Sequence, residues 1–220
     1  MANDAGDVLM MVVGSDGKGV PAECQSQIDG KDDLMEDFIK GTFFEIQDFD
    51  FGINVEDRDD SDTEKSVNPK DPKNPQTKTT SKAKTKFSRW MAMPIGASGK
   101  TAMDGDSGYP VDLEPFSFSR QMDKASPLFF HACGNKISYK SATLVKRKDI
   151  GSDAGLQAYL RIDFTDVLFI SIGWDNGETI KEKCKFIARQ VIVQYRPQAS
   201  HGLLGPVIAG NWQRKMETKA

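Results

Sequence analysis

The 220-residue chain has few of the side chains from which metal sites, disulfide frameworks and hydrolytic active sites are built. It contains two histidines and three cysteines, and Cys24, Cys133 and Cys184 lie far apart in the sequence. An odd and scattered set of cysteines is typical of reduced thiols in a protein made in the cytoplasm. We therefore expect no bound metal, no cofactor and no disulfide framework.

The chain also lacks a basic excess and a long apolar run. Its 29 Lys and Arg residues are balanced by 32 Asp and Glu residues, which gives a net charge of −3. Proteins that coat nucleic acid usually carry a positive excess, and so we expect no nucleic-acid partner. The apolar run at residues 8–13 is shorter than a signal-peptide core and far shorter than a membrane span. We expect neither membrane insertion nor signal-peptide export.

Motifs that resemble catalytic or ligand-binding loops lack the residues that such loops need. Residues 96–101 end in Gly-Lys-Thr, but Pro94 stands where a phosphate loop has its first glycine. The acidic run at 57–62 lacks the glycine and the distal glutamate of a calcium loop. His131 and Cys133 are two residues apart on a predicted helix and therefore point in different directions. Because no Gly-x-Ser-x-Gly turn is present either, we predict that the chain is not an enzyme.

Alternation of apolar and polar residues predicts strands in both halves of the chain. Residues 156–165 alternate without interruption, with the period of two of a half-buried strand. Residues 43–55 alternate as well, but their apolar phase switches between Ile46 and Phe49, as a bulge or a change of sheet requires. Further strands are predicted at 8–13, 136–148 and 179–195 and around Trp212.

One hairpin turn and one helix complete the predicted elements. The run Asp-Asn-Gly at 175–177 marks the hairpin turn, because Asn-Gly tolerates the positive φ values that tight turns need. The helix is predicted from Ser126 as its hydroxyl N-cap, through Pro127, to Gly134 just past its end. Many strands, one helix and no βαβ rhythm indicate a mainly β fold, either a barrel or a sandwich.

Residues 56–110 differ in composition from the rest of the chain. The part at 56–86 has almost no hydrophobic residues and is first acidic and then basic, which is typical of a solvated loop. An alternative is an arm whose charged halves meet opposite charges on a neighbouring copy. A compact apolar cluster follows, formed by Phe87, Trp90 and Met91, and such a cluster is typical of a residue group that anchors an interface. We predict a single domain over 1–220 that is interrupted by an extended arm at 56–110.

Two predicted strands carry charged faces. Asp48, Asp50 and Asn54 form the wet face of one strand, and Lys181, Lys183 and Lys185 form the outer face of another. An acidic and a basic face on different strands are consistent with self-association through complementary patches. Ordinary solvated sheet faces have the same pattern.

Several motifs, taken in order, resemble the haemolysin co-regulated protein (Hcp) family. These are the run Pro-Phe-Ser-Phe-Ser-Arg-Gln-Met-Asp-Lys-Ala-Ser-Pro at 115–127, the charged strand at 140–148, the run Val-Ile-Val-Gln-Tyr-Arg-Pro-Gln at 191–198, and Phe-Asp-Phe-Gly at 49–52. The match is good over about 111–220, looser over 1–55 and absent over 56–110.

The resemblance implies a structural subunit of the type VI secretion system of Gram-negative bacteria. Members of the family form six-membered rings that stack into the inner tube of this apparatus. Sheath contraction expels the tube, and the rings can hold small effectors in their lumen. The implied fold is a small two-sheet β-barrel with one short flanking helix, close to the tail-tube proteins of contractile phages. The implied partners are other copies of the chain, the sheath, a spike protein and small effectors, with synthesis in the cytoplasm and release without a signal peptide.

The resemblance also implies roles for individual residues. It places the run at 49–52 on a strand that faces the lumen, so that the lumen-facing candidates are Asp48, Asp50 and Asn54. The candidates for ring stacking or subunit contact are Phe87, Trp90, Met91, Lys181, Lys183 and Lys185. Two alternatives stay open. One is a tail-tube protein of a contractile phage or phage-derived particle. The other is a monomeric β-sandwich binding module with an aromatic groove formed by Trp90, Tyr109 and Trp174.

Overall fold

The computed structural model describes residues 7–28, 32–55, 111–150, 155–198 and 203–214. Within these ranges the elements before the helix are β1 (Val8–Val13), β2 (Phe43–Glu45), β3 (Asp48–Asp50), β4 (Ile53–Val55), β5 (Val111–Leu113) and β6 (Phe116–Gln121). The helix and the later strands are α1 (Ser126–Asn135), β7 (Tyr139–Asp149), β8 (Leu156–Asp175), β9 (Lys181–Ile187), β10 (Gln190–Tyr195) and β11 (Ile208–Gln213). Residues 56–110 lie outside the described residues, and with them Phe87, Trp90 and Met91.

Nine strands form one antiparallel sheet, and its order explains the alternating sequence pattern. The order is β2-β1-β7-β8-β9-β6-β3, with β10 paired to β8 and β11 paired to β10, while β4 and β5 form a separate two-stranded sheet. The predicted mainly β fold with one helix is therefore confirmed. In the described part of the chain, the two end strands β2 and β3 are not paired with each other, and the sheet is open there.

The 20-residue strand β8 joins the two halves of the sheet. Its first half pairs with β7 and β10, whereas residues 168–175 pair with β9. Asp166 lies at the change of partner and has a φ of 54°, in the left-handed region that a non-glycine residue seldom adopts. One strand therefore serves two sets of neighbours.

The main core lies on one side of this sheet and is largely aromatic. Phe116 is at its centre, with ring centroids 4.9 Å from those of Phe164 and Phe186. Phe129 of α1 stacks on Phe169 of β8 with centroids 4.7 Å apart. These edge-to-face and stacked contacts stabilise the packing beyond the area that the rings bury.

A second core lies on the opposite side of β1 and explains why this strand is apolar throughout. Met10 and Val12 face the aromatic core, whereas Leu9 and Met11 face the second core. The loop at 32–38 covers the second core with three residues, Leu34, Met35 and Phe38. A strand that is buried on both faces reads as a continuous apolar run.

A buried carboxylate attaches this covering loop to the sheet. Asp32 accepts hydrogen bonds from the backbone N–H groups of Leu34 and Ala158, at 3.1 and 2.9 Å, and from Arg196 Nη1 at 2.9 Å. Asp33 also contacts Arg196, at 3.2 Å, but its side chain is 83% exposed. The buried residue of this acidic pair therefore fixes the loop.

The predicted caps of the helix are wrong. Ala125 is the N-cap residue, and it makes no side-chain capping bond. Ser126 is the first residue of the helix, and its hydroxyl is engaged with Arg120 and Glu182 instead of the helix backbone. At the other end, Gly134 lies inside the helix, and Lys136 takes the left-handed conformation with a φ of 55°.

The predicted return strand at 179–195 is two strands, because its halves have different partners. β9 pairs with β6 and the second half of β8, whereas β10 pairs with β11 and the first half of β8. The predicted hairpin between β8 and β9 is confirmed, but the prediction of a tight Asn-Gly turn is wrong. Asp175 pairs with Lys181, so the connection spans 176–180, and Gly177 is not among the glycines with positive φ.

Two strand boundaries follow from pairing as well. The phase switch between Ile46 and Phe49 coincides with a change of partner, since β2 pairs with β1 and β3 pairs with β6. Ile137 was expected on a strand, but β7 begins at Tyr139, and the side chain of Ile137 is exposed.

Candidate functional site

Four neighbouring strands, β3, β6, β9 and the second half of β8, form a polar sheet face. Directly paired residues of antiparallel strands project from the same face. The pairing produces two rows across this face: Asp48, Ser119, Lys183 and Gly173 in one, and Asp50, Ser117, Lys185 and Ser171 in the next. We call these four strands the charged sheet and this surface the charged face.

The acidic and basic candidates therefore share one surface. Asp48 and Asp50 lie two strands away from Lys183 and Lys185, a separation of about 10 Å between backbones. The sequence placed these residues on separate strand faces. The structure brings them onto one face because β6, with its two serines, pairs with both strands. This face is zwitterionic.

The lysine row has a local ion pair. Lys183 Nζ lies 2.6 Å from Asp175 Oδ2, and both side chains are mostly exposed. The hydrogen bond with Asp175 raises the pKa of Lys183, and the charges of Asp175 and Asp48 act in the same direction. Lys183 thus responds to acids on both sides of its strand.

Asn54 does not belong to the rows. It lies on β4, in the two-stranded sheet, and its Nδ2 donates to Glu114 Oε1 at 2.6 Å. Glu114 also holds this segment through its backbone, because its N–H donates to the carbonyl of Gly52 at 3.0 Å. The predicted set Asp48, Asp50 and Asn54 is thus divided between two sheets.

The inner side of the same strands carries a buried ionic network that sequence reasoning missed. Arg120 Nε donates to Glu182 Oε2 at 2.7 Å, and both side chains are completely buried. Arg120 also donates to Asp123 Oδ1 at 2.8 Å and to Ser126 Oγ at 2.7 Å. Trp174 Nε1 donates to the other oxygen of Glu182 at 3.0 Å. The network fastens β6, β8 and β9 to the start of α1.

Aromatic rings cover the buried guanidinium. Arg120 Cζ lies 4.2 Å from the centroid of Phe44 and 5.1 Å from that of Phe129. A signal was present in the sequence, because Arg120 continues the apolar phase of Phe116 and Phe118 along β6. A charged residue in the buried phase of a strand requires a buried partner, but the sequence alone does not name that partner.

Among the described residues, the charged sheet has an unpaired edge on each side. β3 is the last strand of the ladder, paired with β6 alone among the described strands. Residues 168–175 of β8 pair with β9 on one side, while the described pairs of β7 and β10 end at or before Val167. Free edges carry unpaired backbone donors and acceptors and are templates for another chain.

The ranges described contain neither a candidate metal site nor a helix that could span a membrane. No group of three or more His, Cys, Asp or Glu residues there is placed to hold a metal ion. Among the same residues, no helix is long and apolar enough to cross a membrane. Trp174, which the binding-module alternative would place in an aromatic groove, stacks on Phe130 with centroids 5.2 Å apart.

Comparison with known proteins identifies the family. Residues 76–195 match the model of the family T6SS_HCP, described as "Type VI secretion system effector, Hcp". Protein hcp1 of Pseudomonas aeruginosa is 33% identical to this chain over 115 residues, which are 50% of this chain and 69% of that protein. The chain belongs to the Hcp family, the tube proteins of the type VI secretion system.

Solved structures of Hcp proteins share the fold. A structure of a type six secretion system protein has a TM-score of 0.58 at 17% identity and covers 95% of this chain and 96% of that chain. Hcp1 from Salmonella typhimurium has a TM-score of 0.54 at 16% identity and covers 95% of both chains. The secreted protein Hcp3 from Pseudomonas aeruginosa has a TM-score of 0.51 at 14% identity, with 96% and 100% covered.

These findings confirm the predicted family and the predicted role as a tube protein over the phage alternative. The family is one of structural, secreted tube proteins and not one of enzymes.

Proposed function

We propose that this chain closes into homohexameric rings and that these rings stack into the inner tube of a type VI secretion system. The observation that carries the proposal is the charged sheet, which has a polar face and, within the part of the chain that the structure describes, an unpaired edge on both sides. Edge-to-edge pairing of β3 with the second half of β8 of the next copy is a heterologous contact, and such contacts close into rings. Closure removes both edges from solvent.

Strand number supports a hollow ring. Four strands from each of six copies make a wall of about 24 strands, and barrels of about 16–22 strands already enclose a lumen. The charged face then lines the lumen with Asp48, Asp50, Lys183 and Lys185. The lysines, considered earlier for subunit contact, belong to the lumen in this arrangement. A zwitterionic wall suits a channel that holds small effector proteins without binding them tightly.

The remaining parts of the proposal concern the single subunit. We infer that residues 1–220 form one domain, that the two halves of the sheet, which β8 joins, pack face to face as a small barrel of two sheets with the outer edge of β3 left unpaired, and that residues 56–110 form an arm. The anchor residues of this arm, Phe87, Trp90 and Met91, contact an adjacent subunit. The further partners are the contractile sheath, a spike protein and small effectors. The protein is made in the cytoplasm, leaves the cell with the expelled tube and has no catalytic activity.

Native mass measurement at micromolar concentration tests the ring. We expect a particle of six times the subunit mass that persists at high salt. A monomer under these conditions contradicts the proposal and favours the binding-module alternative. Electron microscopy of Trp90→Ala tests the arm separately, since loss of an aromatic anchor weakens ring stacking. Unchanged stacking of that variant removes the arm from the interface and leaves the ring proposal standing.

A further inference from the structure

The connection between β8 and β9 contains the only Asn-Gly pair of the sequence, Asn176 followed by Gly177. The connection spans residues 176–180, and every one of them is exposed. The tight hairpin turn for which an Asn-Gly pair is suited does not form here, because Gly177 lacks a positive φ. The pair therefore lies in an open surface loop instead of a turn that fixes its backbone.

The atoms of this pair that could react with each other are not held by other groups. Within the ranges that the structure describes, no hydrogen bond engages the side-chain amide of Asn176 or the backbone N–H of Gly177. Asn135 differs in this respect, since its Nδ2 donates to the carbonyl of His131 at 2.8 Å, at the end of α1. An unbonded side-chain amide in a loop is free to turn toward the backbone that follows it.

We propose that Asn176 is a site of deamidation, a modification that the chain carries out on itself with water as the co-reactant. The Gly177 nitrogen gives its proton to a base in the solvent and attacks Cγ of Asn176, so that a Cγ–N bond forms. The Cγ–Nδ2 bond then breaks, and Nδ2 takes up a proton and leaves as ammonia. Water opens the resulting cyclic imide at either carbonyl carbon, which gives aspartate or isoaspartate. No atom is oxidised or reduced.

Glycine at position 177 favours the attack for a steric reason. Its nitrogen must come within bonding distance of the preceding side chain, and a residue without a Cβ has the backbone freedom for this approach. Two groups in the same loop also react as if each were present at high concentration, because no encounter between separate molecules is needed. Exposure supplies the water that the second step consumes.

Either product changes the end of the charged sheet. It adds one negative charge to the net charge of −3, beside Asp175, whose carboxylate pairs with Lys183 Nζ at 2.6 Å. Isoaspartate also inserts a methylene group into the main chain. The loop must absorb that extra length between fixed ends, because Asp175 pairs with Lys181 on the ladder. These changes follow from the loop of a single subunit and do not depend on ring formation.

Peptide mapping of the intact chain after incubation at neutral pH tests the proposal. The tryptic peptide 162–181 has Asn176 as its only asparagine and contains no glutamine, so a gain in mass from exchange of NH₂ for OH reports that residue. We expect the gain at a rate within about tenfold of that in the denatured chain, since exposed loops open at almost no free-energy cost. Peptide 125–136, which contains Asn135, is the internal control and should stay unmodified. A native peptide 162–181 that stays unmodified while the denatured chain reacts overturns the proposal.

Two variants separate this reaction from other causes of a mass gain. Gly177→Ala should lower the rate about tenfold or more, because the added Cβ crowds the attacking nitrogen. That Cβ would meet only the carbonyl oxygen of Thr179, at 3.6 Å, so the variant should fold normally. Gly210→Ala, on β11 with open space around the added Cβ, is the matched control and should react like the unmodified protein. Asn176→Gln should abolish the gain in peptide 162–181. Equal rates for Gly177→Ala and the unmodified protein contradict attack by the Gly177 nitrogen.

Discussion

Arg120 and Glu182 form a completely buried ion pair, with Arg120 Nε donating to Glu182 Oε2 at 2.7 Å. Removing Arg120 leaves the buried Glu182 carboxylate without a counter-charge, and removing Glu182 leaves Arg120 with Asp123 as its one acidic partner in the described structure. We therefore expect Arg120→Met or Glu182→Leu to lower the free energy of unfolding by about 3–5 kcal/mol. The double variant should lose less than the sum of the two single losses, because neither charge remains.

The unmodified protein, the two single variants and the double variant form a double-mutant cycle. Their free energies of unfolding, measured with denaturant, give the coupling between Arg120 and Glu182. Arg189→Gln is the control, since Arg189 pairs with Asp166 at 3.1 Å on the surface, where both side chains are 46% exposed. Its effect should be close to nothing. Additive losses for Arg120 and Glu182 contradict the view that they act as a pair.

Asp32 and Asp33 are neighbours in sequence with unequal structural roles. Asp32→Asn removes a buried charge that accepts from Leu34, Ala158 and Arg196, and we expect a loss of about 2–4 kcal/mol in the free energy of unfolding. Asp33→Asn changes an 83% exposed partner of the same arginine and should cost almost nothing. Thermal and chemical unfolding of both variants checks the difference. Equal effects contradict the anchoring role of Asp32.

The buried thiol of Cys184 and the buried hydroxyl of Tyr139 predict that the protein loses stability at alkaline pH. Burial raises the pKa of the Cys184 thiol well above its usual range, with a further contribution from the charge of Glu182, and burial raises the pKa of Tyr139 to about 12. The unfolded chain releases these protons at lower pH than the folded protein does. Stability is therefore fully present below pH ~9 and falls as pH rises, by about 1.4 kcal/mol per pH unit for each proton.

Cys184→Ala should reduce the loss in the free energy of unfolding that begins near pH ~9. Tyr139→Phe should reduce the loss that occurs between pH ~10 and ~12. Each variant serves as the control for the other, because the two windows differ. The measurement is the free energy of unfolding as a function of pH. Identical pH profiles for the unmodified protein and both variants contradict the prediction.

The C-terminal end of α1 allows a direct test of the observed C-cap. Lys136 holds the left-handed conformation that glycine adopts without strain, and so Lys136→Gly should stabilise the protein by about 0.5–1 kcal/mol. Gly134 is inside the helix, and nothing lies within 4 Å of a Cβ added there. Gly134→Ala should therefore also stabilise, by about 0.5–1 kcal/mol. If Gly134 were the cap, as the sequence predicted, the alanine variant would be less stable, and thermal unfolding decides between the two.

The charged face should be enclosed in assembled tubes. In a background with Cys24→Ser and Cys133→Ser, a cysteine introduced by Lys185→Cys should react with a small maleimide but only slowly with a polymer-linked one. Ile39→Cys is the exposed control and should react with both reagents at similar rates. In dissociated subunits, the cysteine introduced by Lys185→Cys should react with both reagents at similar rates. A Lys185→Cys tube that reacts equally fast with both reagents places the charged face on the outside.

Much of the fold followed from periodicity. Alternation along 156–165 predicted β8, the continuous apolar run predicted β1, and the run from Ser126 predicted one helix. The caps of that helix were not predictable, because the Ser126 hydroxyl bonds Glu182, which is 56 residues away in the chain. The split of the return strand was equally hidden, since pairing to the two halves of β8 decides it.

The candidate site was predicted residue by residue but not as a surface. Asp48, Asp50, Lys183 and Lys185 were all identified as wet strand residues, yet their common face depends on β6 pairing with both strands. The contact between Phe130 and Trp174 was not predicted, because the two rings meet only when α1 packs on β8. Local patterns contain no information about which distant strand becomes a neighbour.

The shortage of histidine and cysteine in this chain, its balanced charge and its strand periods were determined by the sequence alone, and the strand periods indicate a mainly β fold. Those features are local, because a strand or a short helix is set by residues next to one another. The tertiary structure alone decided that the acids and lysines share one face, that Arg120 is buried against Glu182, and that Phe130 of α1 stacks on Trp174 of β8. These are long-range pairings, and only the packed sheet specifies them.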